Sequence, residues 1–128
     1  MVKRSPYRPT DTELRILGVL WDLGPSTVRE VHETLTVSKA VGYTTALKML
    51  QVMTEKGLVV RDEEQRPHRY RAARARAATQ RQLLRDLTDR AFGGSASALV
   101  LHAISDPRLS PADRAEIERL LAKAEGEP

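Results

Sequence analysis

The chain contains no cysteine, which excludes disulfides, thiolate metal ligands and a thiol nucleophile together. Aromatic residues make up 4% of it, too few for a platform on which single-stranded bases stack. No apolar run approaches the roughly 20 residues of a membrane span, and the basic start MVKR has no apolar segment behind it. A cytoplasmic protein without direct membrane insertion is expected. The short patterns of catalysis are missing as well: there is no HExxH, no Gly-rich phosphate loop and no GxSxG. No two of the histidines His32, His68 and His102 have the spacing of metal ligands on one helix. The residues therefore predict no metal, no cofactor and no enzymatic activity.

What the chain does have is an uneven charge. Its 128 residues carry a net +4 at pH 7, in a length that suits one domain or a small domain with an appendage. Residues 1–81 hold 15 Lys/Arg against 9 Asp/Glu, whereas residues 82–128 hold 6 against 8. A polyanionic partner would meet the N-terminal part.

Residues 1–9, MVKRSPYRP, are basic and hold two prolines; they read as a flexible basic arm. Thr10 and Glu13 are spaced as a capping box, as are Thr27 and Glu30, so each pair marks a helix start. The first helix carries Leu14, Leu17 and Trp21 on one stripe with Ile16, Leu20 and Leu23 beside it, and Gly24-Pro25 ends it. The second is short, with Val28, Val31 and Leu35 facing inward. TVSKAVG links it to a third helix over 42–56, which Gly57 closes. Two extended runs follow, in which Leu58 and Val60 alternate against Val59 and Arg61, and Tyr70 and Ala72 against Arg69 and Arg71. Three more helices come after residue 75. The expected fold is mainly α with a small β-hairpin: a winged helix-turn-helix DNA-binding domain over 10–74, then a helical dimerisation domain over 75–128.

At 100° per residue, Ala46, Met49, Leu50 and Met53 form the core face of the third helix. Thr44, Lys48 and Gln51 centre on the opposite side, with Thr45 on one shoulder and Tyr43 and Leu47 on the other. Soluble helices favour acids in the first turn, where the backbone dipole is positive; this one has hydroxyls there. Hydroxyls and open N–H groups bind phosphate, Lys and Gln read base edges, and a carboxylate would repel a polyanion. The hairpin strengthens the reading. From residue 65 to 81 there are six arginines and no acid, and Arg69 and Arg71 project together from one face of a strand. With Arg66 they make a wing suited to a phosphate backbone.

The last three helices each show one apolar stripe that needs cover, and helices so short are marginal alone. A second copy of the chain would provide that cover. The candidate interface is Leu83, Leu84, Leu87 and Ala91, then Leu99, Val100 and Ile104, then Ile117, Leu120 and Leu121.

The segments VGYTTALKMLQVMTEKGLVVRDEEQRPHRYRA and FGGSASALVLHAI resemble the penicillinase-repressor family, the BlaI/MecI/CopY-type bacterial winged-helix transcriptional repressors, over residues 10–121. The resemblance implies a homodimer that binds a palindromic double-stranded DNA operator and blocks transcription. It places base contacts at Tyr43, Thr44, Thr45 and Lys48. Val52 stands where many members carry Arg, which would remove one phosphate contact. The cysteine motif of copper-responsive members is absent. The resemblance also implies relief by a membrane metalloprotease sensor, and it aligns His102-Ala103 with the Asn-Phe bond cut in lactam-responsive members. The competing reading is a winged helix that contacts only proteins. Such a module has no need of an acid-free run from 65 to 81.

Overall fold

The computed structural model describes residues 8–36 and 41–126. Most of the expected basic arm, residues 1–7, and residues 37–40 of the TVSKAVG link lie outside them. The chain divides into two compact units, one running to Leu83 and the other starting at Leu84.

In the first unit, α1 (Asp11–Leu23) opens on the expected capping box: Thr10 Oγ1 accepts from the Glu13 N–H at 3.2 Å, and Glu13 Oε1 from the Thr10 N–H at 2.8 Å. After a turn at Gly24, the strand β1 (Ser26–Thr27) leads directly into α2 (Val28–Leu35). Thr27 and Glu30 close the second capping box, at 3.2 and 2.9 Å. Helix α3 (Tyr43–Lys56) starts from Gly42, whose backbone is extended, and ends at Gly57. At φ 80° Gly57 takes the left-handed conformation that side chains with a Cβ avoid, and its N–H closes the last turn.

β2 (Val59–Asp62) and β3 (Arg69–Ala72) form the expected hairpin, but the sheet has a third strand. β1 pairs antiparallel with β3, Ser26 opposite Tyr70 and Thr27 opposite Arg69, giving the order β1-β3-β2. Val59 lies opposite Ala72 and Arg61 opposite Tyr70. These four residues share one face, while Val60, Asp62, Arg69 and Arg71 share the other. Leu58 and Val59 are both buried, because Leu58 belongs to the Gly57 turn and alternation starts only with the strand.

The core of this unit joins Ile16, Leu17 and Leu20 of α1 to Val28, Val31 and Leu35 of α2, Leu50 and Met53 of α3, and Leu58, Val59 and Tyr70. Ala46 is fully buried too. Met49 and Trp21 pack against this cluster while partly exposed. Leu23, in the last turn of α1, stays 55% exposed. Three helices followed by a hairpin, with α2 and α3 joined by a short link, make a winged helix-turn-helix.

Helix α4 (Arg76–Ala91) contributes residues to both units. Its first turn is fixed within the first unit: Trp21 Nε1 donates to the Arg74 carbonyl at 2.9 Å, Arg76 pairs with Asp22 at 2.5 Å, and the Arg76 guanidinium lies 5.6 Å from the Trp21 ring centre. In the second unit, α5 (Ala96–Ile104) is capped by Ser95 and α6 (Pro111–Glu125) by Ser110, with Pro111 at the first helical position. Neither α5 nor α6 contains a buried residue.

Candidate nucleic-acid interface

The N-terminal half of α3 presents its side chains to solvent because its opposite face is anchored by Ala46, Leu50 and Met53, all fully buried. Tyr43, Thr44, Thr45, Lys48 and Gln51 are exposed. Among the described residues no side chain caps the helix, and its first turn holds no acid, so its leading N–H groups are available to an external acceptor. The α3 candidates do not form one cluster. Thr44, Thr45 and Lys48, with Met49 and Val52, line a groove of about 350 Å3 whose other wall is Thr10 and Glu13 of the α1 start. Tyr43 lies on the other flank, in a depression it shares with Leu47, Thr27, Pro67 and His68. Gln51 faces Thr54, Glu55 and Arg61.

Helical angle alone leaves Tyr43 on a shoulder between the core face and the exposed face. The structure exposes it by half and sets its ring 5.8 Å from His32 of α2, edge to face. His32 was not among the residues that sequence reasoning linked to this face. Its neighbour lies across the α2–α3 link, and helical periodicity carries no information across a break.

In the wing, Arg66 is exposed in the turn between β2 and β3, and Arg71 is exposed on the outer face of β3. Neither is ion-paired among the described residues. Arg69 shares the outer face with Arg71 but is engaged within the protein. Its Nε donates to Gln65 Oε1 at 2.9 Å, and its Nη1 donates to Glu30 Oε1 at 3.3 Å and to the Pro25 carbonyl at 3.5 Å. Hydrogen bonds from the Thr27 backbone and hydroxyl hold the Glu30 carboxyl below its ordinary range, and the Arg69 charge adds to this. Arg61, on the inner face, is bonded to Glu63.

The Glu13 carboxylate at the groove wall is nearly buried. Burial pushes it up, but the Thr10 N–H and the Lys56 ammonium outweigh that and hold it below the ordinary glutamate value.

In the second unit, the predicted stripes are largely uncovered. Leu84, Leu87, Val100, Leu120 and Leu121 are each exposed by roughly half, as is Leu101, which the stripes left out. Ala91 is exposed, and Leu99, Ile104 and Ile117 are half-buried. Leu83, the last residue of the first unit, is half-buried too. His102 and Ala103 are exposed on α5, and the His102 ring rests 5.6 Å from that of Phe92. No helix among the described residues is long and apolar enough to cross a membrane.

Residues 9–123 match the penicillinase repressor family. The transcriptional regulator BlaI of two Mycobacterium tuberculosis strains is 32% identical over 117 residues, which cover 90% of this chain and 83% of that protein. Among solved structures, BlaI of Bacillus licheniformis, in its monomeric form in complex with the blaP half-operator, is similar at a TM-score of 0.50 and 22% identity. The match covers 57% of this chain and 89% of that one. A MarR family protein from Bacillus stearothermophilus is similar at a TM-score of 0.50 and 21% identity, over 93% of this chain and 74% of its own. At these identities the two structures are likenesses of fold.

Proposed function

This chain belongs to the penicillinase-repressor family, and on that premise we propose that it represses transcription by binding a palindromic DNA operator as a homodimer. Its family is one of transcriptional regulators, not enzymes. The observation that carries the reading is the acid-free, uncapped and exposed first turn of α3, backed by a buried Ala46-Leu50-Met53 face that holds it outward. Thr44 and Thr45, with the open N–H groups, take phosphate oxygens. Tyr43, Lys48 and Gln51 reach base edges. Arg66 and Arg71 on the wing meet the flanking phosphates.

The homodimer forms through the half-exposed apolar residues of α4, α5 and α6, and it places two copies of α3 in major-groove turns about 34 Å apart. Bound over a promoter, the dimer excludes polymerase. Cleavage by a membrane metalloprotease within α5, at or beside His102-Ala103, relieves repression by separating the apolar segments that hold the dimer.

Binding of duplex DNA across a salt series tests the reading. Log affinity should fall with log salt at about −0.9 per phosphate neutralised, and footprinting should reveal a protected palindrome. A salt-independent affinity would replace this reading with a protein-contact module.

A further inference from the structure

The sequence treats the wing arginines alike, and the structure separates them. Arg66 and Arg71 extend into solvent. Arg69 brings three segments to one guanidinium: the wing turn through Gln65, the entry to β1 through the Pro25 carbonyl, and the first turn of α2 through Glu30. The backbone agrees with this placement. Arg69 lies opposite Thr27 in the β1–β3 pair, and Thr27 is the N-cap residue whose N–H shares Glu30 Oε1 at 2.9 Å.

Three acceptors on three segments suit a planar fork of five donors and do not suit a single ammonium. A lone exposed ion pair would release its guanidinium to a phosphate at little cost. Here release gives up Glu30, Gln65 and Pro25 together, and the Glu30 carboxylate already balances the charge.

We propose that Arg69 is a positioning residue for DNA binding: it holds the wing turn against the first turn of α2, so that Arg66 and Arg71 are ordered before they meet the phosphates, and it neutralises no phosphate itself. This rests on the DNA-binding reading above.

The test measures binding of the full chain to a random-sequence duplex at several salt concentrations, with thermal melting of each variant alongside. Arg71→Ala should lower the salt slope by about 0.9 for each phosphate it no longer neutralises. Arg69→Ala should weaken binding about fivefold at one salt, the scale of one ordinary hydrogen bond, and keep the wild-type slope, because Arg66 and Arg71 still reach their phosphates once the wing is ordered on binding. Arg69→Lys keeps the charge without the fork and should not restore affinity.

Equal loss of slope in Arg69→Ala and Arg71→Ala, full rescue by Arg69→Lys, or an unweakened Arg69→Ala would each overturn the proposal while DNA binding stands. A wild-type affinity flat in salt would overturn the DNA-binding reading, and this inference with it.

Discussion

The Glu13 carboxylate and the Lys56 ammonium form an ion pair at 2.9 Å that joins the first turn of α1 to the last turn of α3. The Glu13 side chain is 6% exposed and that of Lys56 42%. One carboxylate thus closes a capping box and fixes the C-terminal end of the helix proposed to enter DNA, where a cation also suits the helix dipole. Because Glu13 titrates below its ordinary value of 4.5 when folded, its contribution is present in full above that value. It is lost as pH falls through 4.5 toward the folded value. Glu13→Gln keeps the acceptor for the Thr10 N–H and removes the charge. The variant should be less stable by about 1–2 kcal/mol at neutral pH, less than for a fully buried pair because Lys56 rehydrates. The gap between variant and wild type should close in urea titrations as pH falls below 4.5. A gap that stays constant down to acid pH would show that the charge of Glu13 contributes nothing.

Leu50 is fully buried at the centre of the α3 core face. Leu50→Ala should cost about 2–5 kcal/mol, the transfer of the missing methyl groups plus a residual cavity. The urea midpoint should drop with an unchanged slope. A cost under about 1 kcal/mol would mean that the helix is not anchored through this residue.

Trp21 connects α1 to the start of α4 by a hydrogen bond to the Arg74 carbonyl and by the Arg76 guanidinium near its ring. Trp21→Phe preserves most of the packing and removes the N–H donor. A loss of about 1 kcal/mol in melting experiments is expected. Amide exchange should quicken in the first turn of α4 ahead of the core, since local openings follow local bonding.

Lys48 and Arg71 should fail in different ways when truncated. Lys48 lies on the exposed α3 face beside Thr44 and Thr45, and its proposed contact is a base edge; Arg71 lies on the outer face of β3, and its proposed contact is the phosphate backbone. Lys48→Ala should narrow the affinity gap between operator and random duplex by about 1–3 kcal/mol. Arg71→Ala should weaken both duplexes alike and reduce the salt slope. Competition binding on the two duplexes separates the outcomes, and an identical loss of discrimination in both variants refutes the division of roles.

What could be read from the sequence is what local chemistry decides. The capping boxes at Thr10 and Thr27 marked two helix starts because donor and acceptor lie three residues apart. Gly57 marked the end of α3 because few residues tolerate its backbone angle. The buried Ala46, Leu50 and Met53 followed from periodicity alone. Strand β1 was not legible, since Ser26 and Thr27 become a strand only by pairing with Tyr70 and Arg69. The partners of Arg69 were hidden for the same reason: Glu30 lies 39 positions away in the chain, and nothing in the arginine-rich run indicates which guanidinium turns back onto the protein. Periodicity likewise placed Tyr43 and Leu47 on one shoulder, and packing separated them. Leu47 packs partly buried against the core while Tyr43 is left half-exposed beside His32.

Leu87 of α4 and Leu120 of α6 are each about half-exposed on helices of the second unit, where α5 and α6 bury no residue. Apolar side chains left so open are a cost in water, at about 25 cal/mol for each Å2 that a partner could cover. If a second copy of the chain covers them, Leu87→Glu and Leu120→Glu should each yield monomers by light scattering at concentrations where the wild type is dimeric, because a carboxylate buried in an interface lacks a partner. Thermal melting of the first unit, followed through Trp21, should change little, since neither residue belongs to its core. Operator affinity should fall far more than affinity for a single half-site, because in a dimer the second half-site binds within an already formed complex. A variant that remains dimeric with either substitution would place the interface elsewhere.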